Sequence, residues 1–168
     1  MPLTLDLADY VLGTIAPHEL PALCLRALEA GHESLSLAAL AGMTAASYER
    51  WEAEELWAAA LGELGVILPS KDEAANLIID DALRRSLRGE TTPWEAVSRI
   101  VAAHHASDAD QRDQRVAGGS PGLGGLVGIY WMYDEVDEPW GPSREQLDHD
   151  ALEELRSIAE RRGLAVEE

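Results

Sequence analysis

The stretch Leu123–Trp140, LGGLVGIYWMYDEVDEPW, constrains the fold most. It is the most apolar run in the chain, and Asp134, Glu135, Asp137 and Glu138 follow it directly. Everything before it reads as amphipathic helix that needs an apolar surface to pack on. Val127, Ile129, Tyr130, Trp131 and Tyr133 favour a strand by propensity. A lone strand needs a ladder partner, and Val66-Ile67-Leu68 is the one other candidate. Leu123, Leu126, Val127, Tyr130 and Asp134 recur at helical spacing instead. A central buried helix over 123–134 is therefore expected.

The remaining elements follow from stripes and stops. Residues 5–12 form a short helix ended by Gly13, and Pro17 opens a second over 17–30, closed by Gly31. Ser34 caps a third over 35–41. Thr44 or Ser47 caps a fourth that runs to Leu64, with Ala53, Leu56, Trp57, Ala60, Leu61 and Leu64 inward. Glu49, Glu52, Glu54, Glu55 and Glu63 cover much of its other side. Ser70-Lys-Asp-Glu73 and Thr92-Pro-Trp-Glu95 have the pattern of capping boxes, in which a hydroxyl and a carboxylate each satisfy the other residue's free backbone donor. The first opens a helix carrying Ile78, Ile79 and Leu83. The second opens one that reaches about Ala106, with Val97, Ile100, Val101 and His104 inward. Residues 107–122 read as a long flexible loop. Ser143 starts the last helix, whose inward positions are Leu147, Ala151, Leu155, Ile158 and Ala159. The expected fold is all-α, a single-domain irregular bundle of about seven or eight helices spanning residues 1–168. A chain of this length buries roughly 70% of its unfolded surface.

Charge narrows the function. The chain has 13 basic against 31 acidic residues, net −18. Nucleic-acid binding rests on Lys and Arg neutralising phosphate, so DNA, RNA and anionic membrane surfaces are not expected partners. The stretch LSLAALAGMTAASYERWEAEEL has the outline of a helix-turn-helix. Its second helix would present Glu49, Glu52, Glu54 and Glu55 to phosphate, which excludes that reading. Basic proteins or cations are the partners such a chain attracts.

Catalytic signatures are missing. Cys24 is the one cysteine, set among Leu20, Leu23, Ala27 and Leu28, and reads as a buried structural thiol. There is no Gly-x-Ser-x-Gly elbow, and Gly118–Gly125 lacks both the Gly-Lys-Ser/Thr and the G-x-G-x-x-G spacing of a phosphate cradle. Asp134 and Glu138 share a helical face, as do Glu145 and His149, but no Glu-x-x-His or His-Glu-x-x-His occurs. No metal or other cofactor is expected. The N-terminus MPLTLDLADY has neither a basic n-region nor an unbroken apolar h-region, so no signal peptide and a cytoplasmic location are expected. The apolar run is too short to span a membrane.

Two tryptophans remain. Trp51 lies off the inward stripe among glutamates, and Trp140 sits in a Pro-Trp-Gly-Pro turn after the acidic cluster. Aromatic anchors ringed by charge mark protein-binding patches. The expected partner-binding residues are Glu49, Trp51, Glu52, Glu55, Asp134, Glu135, Asp137, Glu138 and Trp140.

The pattern LAGM…EEL…LGELGVILPS-x-x-EA, then Gly89 with Thr-Pro-Trp-Glu-Ala, then YWMYDE, resembles a group of uncharacterised small helical bacterial proteins. It covers most of residues 23–160. These motifs are caps, turns and core positions, and the resemblance implies no activity, cofactor or catalytic residue. In size and composition the chain is similar to bacterial immunity proteins that neutralise toxins. The leading expectation is a non-enzymatic cytoplasmic interaction protein, immunity- or antitoxin-like, that binds a basic partner. One alternative is a metal-dependent enzyme using Asp134, Glu138 and a His. Another is a small-ligand binder with a pocket lined by Trp57, Trp94, Tyr130 and Trp131.

Overall fold

The computed structural model describes residues 2–44, 47–107, 122–136 and 140–164. Among these there are eight α-helices and no strand, so the fold is all-α. The helices are α1 (Pro2–Val11), α2 (Leu20–Glu29), α3 (Leu35–Ala41), α4 (Arg50–Glu63), α5 (Lys71–Leu87), α6 (Pro93–Ala106), α7 (Gly124–Tyr133) and α8 (Arg144–Arg161). The chain forms two compact units, 1–70 and 71–168.

In the first unit α3 packs on α2 and α4, and α1 on α2. Its core gathers Leu20, Leu23, Cys24, Leu37, Leu40, Ala53 and Trp57. Tyr10 meets Trp57 edge-on at 5.3 Å between ring centroids. The single helix expected over 17–30 is instead a 3-10 turn, Pro17–Glu19, followed by α2. Pro21 explains the break. It has no N–H to donate to the Pro17 carbonyl, as an α-helix from Pro17 would require. The Leu20 N–H bonds that carbonyl instead, in the tighter 3-10 manner. Helix α4 likewise starts later than expected. Thr44 and Ser47 bond each other across a local turn, and Glu49 becomes the N-cap residue.

In the second unit α6 packs on α5, α7 and α8, while α8 also contacts α5 and α7. The Thr92 box is complete: its hydroxyl accepts from Glu95 N at 3.2 Å, and Glu95 Oε2 accepts from Thr92 N at 2.8 Å. Gly89 ends α5 at φ +68°, a left-handed conformation that costs glycine least. Bonds from Gly89 N to Ser86 O and from Glu90 N to Arg85 O close that turn. All five expected inward residues of α8 are buried. The loop expected at 107–122 lies, apart from Ser107 and Gly122, outside the described residues.

Helix α7 forms as expected, but it is not buried on all sides. Leu126, Ile129 and Tyr133 face inward, Val127 and Tyr130 are half-buried, and Trp131 is 60% exposed. Leu126, Ile129 and Tyr133 lie three, then four, residues apart and form one stripe. At about 100° per residue, Trp131 falls on the opposite side of that stripe. Close packing against α8 occurs at Gly125, where a Cβ would lie 3.0 Å from the Glu154 carboxyl; Gly124 and Gly128 face open space.

Candidate functional site

Each unit presents one of the two expected surfaces. In the first unit, Glu49, Trp51, Glu52 and Glu55 are all exposed at the start of α4. Trp51 is 62% exposed because the helix buries Ala53, Trp57 and Ala60 on another face. Arg50 is the one cation in this stretch, and its Nε bonds Glu54 Oε1 at 2.7 Å. Glu54's hydrogen bond and charge hold the Arg50 guanidinium above its ordinary value. No ion pair among the described residues involves Glu49, Glu52 or Glu55, so their charge is uncompensated locally.

In the second unit, Asp134 and Glu135 are exposed in the turn after α7, and Trp140 is 78% exposed. Asp137 and Glu138 lie outside the described residues. The backbone stays wound past the end of α7, with Asp134 N bonded to Trp131 O at 3.2 Å and Glu135 N to Met132 O at 3.1 Å. Trp131 and Met132 are exposed at this same end, and Met132 was expected in the core with the rest of the run. A signal for Trp131 was present in the sequence: its spacing from Leu126, Ile129 and Tyr133 points it away from them.

Behind that exposed end is a layered aromatic cluster. Trp94 stacks on Tyr130 with centroids 5.4 Å apart and planes 16° from parallel, and Tyr130 meets Trp131 edge-on at 5.5 Å. Trp94 also contacts Tyr133 at 4.7 Å. The Tyr133 hydroxyl donates to Asp148 Oδ1 at 2.7 Å. Burial first, then this bond and the carboxylate's charge, push the phenol above its ordinary value. Arg144 lies over the Tyr133 ring, 4.8 Å from its centroid, with Nε 3.5 Å from Asp148. Trp57, expected to share a pocket with Trp94, Tyr130 and Trp131, belongs to the core of the first unit.

The second unit also contains a cavity of about 640 Å³. Its walls include Ile79, Ile158 and Leu123, with Asp72, His104 and Arg161 among its polar lining. Asp72 Oδ1 is buried with no hydrogen-bond partner. Arg161 is engaged, donating to Gly122 O at 2.9 Å and to Ser157 Oγ at 2.6 Å. Among the described residues, no three His, Cys, Asp or Glu side chains form a group able to hold a metal ion. Glu145 and His149 lie four residues apart on α8 and so share a face, as expected, and His149 Nε2 lies 3.5 Å from Glu153, the next residue along it. No described helix is long and apolar enough to cross a membrane. Compared with protein families, with curated proteins and with solved structures, the chain matches none.

Proposed function

We propose that this chain is a protein–protein interaction module of the bacterial cytoplasm that captures a basic protein, as an immunity or antitoxin protein masks a cationic effector. The observation that supports the reading is the pairing of exposed tryptophans with locally uncompensated carboxylates: Trp51 with Glu49, Glu52 and Glu55, and Trp131 with Asp134 and Glu135, with Trp140 exposed in the same unit. Tryptophan anchors supply contact area, and acidic surroundings speed encounter with a cationic surface and bar anionic ones.

Capture from the host's own extract, at low and moderate salt, tests this. The expected result is enrichment of a basic protein that is lost when Glu49, Glu52 and Glu55, or Asp134 and Glu135, are changed to Lys. If both reversals leave the same protein bound, the reading fails. For an immunity role, co-expression must also restore growth to cells making that partner.

The 640 Å³ cavity favours a second reading, a small-ligand binder. Its lining sets the apolar Ile79, Ile158 and Leu123 beside the polar Asp72, Asn76 and His104. Thermal-shift screening against small amines and polyols tests it. A saturable rise in melting temperature for at least one compound is the expected result, and no rise across the panel rejects it.

A further inference from the structure

We infer that the exposed end of α7 is a guanidinium-binding surface, and that its occupant is an arginine-bearing segment of a protein partner. The inference rests on the interaction-module reading and specifies the chemistry of one of its surfaces.

The second unit already shows how such a surface works. The Tyr133 ring and the Asp148 carboxylate together hold one guanidinium, that of Arg144, 4.8 Å from the ring centroid and 3.5 Å from the carboxylate oxygen. Trp131 with Asp134 and Glu135 repeats the same two components, ring and carboxylate, toward solvent. The acids follow the indole by three and four residues, and the bonds from Asp134 N to Trp131 O and from Glu135 N to Met132 O keep them on a helical path. That spacing puts ring and carboxylates on one face. Here no side chain of the described residues supplies the cation: neither Asp134 nor Glu135 takes part in an ion pair among them.

The indole also has an aromatic neighbour on one side. Tyr130 meets it edge-on at 5.5 Å and is itself stacked on Trp94, so the exposed ring stands on a packed aromatic base. Met132, 37% exposed, adds apolar surface for the methylene stem of an incoming arginine. Arginine is favoured over lysine because its planar guanidinium can stack on an indole while its N–H edge meets a carboxylate. A compact ammonium makes the charge contact without the stacking.

The probes are hexa-arginine and hexalysine, titrated into the full chain at physiological salt by calorimetry. The two carry equal charge, and Trp131→Ala leaves the protein's charge unchanged, so non-specific attraction cancels in the comparison. Trp131→Ala is expected to weaken hexa-arginine roughly threefold to tenfold, the range of a cation–ring contact, with Trp131→Tyr recovering part of the loss. Hexalysine is expected to change less, and Trp51→Ala to leave the Trp131 effect intact. Equal hexa-arginine affinity in parent and Trp131→Ala overturns the inference, as does an equal loss for hexalysine. If a basic host partner is captured through the Glu49–Glu55 surface while Trp131→Ala alters neither peptide, this inference fails and the interaction-module reading stands. If no basic partner is captured yet the peptides discriminate as expected, that reading fails and the guanidinium surface stands.

Discussion

Cys24 and Glu63 show what neighbours do to a single ionisable side chain. Cys24 is fully buried on α2, and burial pushes its thiol up to about 12. Only the thiolate attacks electrophiles. Iodoacetamide at about pH 8 is therefore expected to leave the native protein unmodified and to label the urea-unfolded chain once, as read by mass spectrometry. Labelling of the native protein at the unfolded rate would show that α2 opens freely. Glu63 has the opposite shift. Its carboxylate accepts from the hydroxyls of Ser34 and Ser36, each at 2.6 Å, and from Ser36 N at 3.3 Å. These bonds hold it near 2, below its ordinary 4.5. A depressed carboxylate stabilises the fold fully above the unfolded value, and that contribution disappears as pH falls from about 4.5 toward 2. Glu63→Gln should therefore be less stable than the parent at neutral pH and approach it in acid, as followed by circular-dichroism melts across pH. In the sequence Glu63 reads only as part of a solvated helix face. Its partners lie 27 and 29 residues earlier in the chain, so no local pattern could reveal them.

Helices were legible where caps and stripes agree. Helix α6 begins with Thr92 in the capping role its sequence indicates, and Thr92→Ala is expected to cost about 1 kcal/mol in urea unfolding. Helix α7 was legible in type but not in orientation. Its residues are apolar almost all round, so periodicity could not say which stripe packs, and the stripe through Leu123, Leu126, Val127 and Tyr130 was as good a choice as the observed one. Packing against α6 and α8 decides it in favour of Leu126, Ile129 and Tyr133. Two substitutions separate the faces. Leu126→Ala should cost about 2–5 kcal/mol, since it empties a fully buried site. Trp131→Ala should cost about 1 kcal/mol or less, the worth of one aromatic edge contact. Comparable losses from both would place Trp131 in the core. The start of α2 at Leu20 was legible in principle from Pro21, but Pro17 is the stronger start signal when propensity is read residue by residue. The candidate surface was legible in part. Trp51 and Trp140 stand out as aromatics among charges, whereas Trp131 is masked by the apolar run that contains it.

At the scale of the whole molecule, no shift in composition marks the join between the two units at residue 70. Charge is the property that acts across the chain. With 13 cations for 31 carboxylates, most acidic side chains have no cation to themselves. The ion pairs that do form, such as Arg26–Asp6 and Arg88–Glu90, lie at the surface, where each contributes about 0–1 kcal/mol. Salt screens both effects: it weakens these few pairs, and it weakens the self-repulsion of a net charge of −18. With a net charge of −18, repulsion is expected to dominate. Raising NaCl from about 0.01 M to 0.15 M, which shortens the screening length from roughly 30 Å to 8 Å, should raise the melting temperature by a few degrees. A fall would mean that the surface pairs outweigh the repulsion. Over the same interval, attraction for a basic partner must weaken, because screening acts on attractive and repulsive charges alike. The protein is thus expected to become more stable and to bind less tightly as salt rises. Opposite signs for the two responses, measured on one preparation, would identify long-range charge as their common cause.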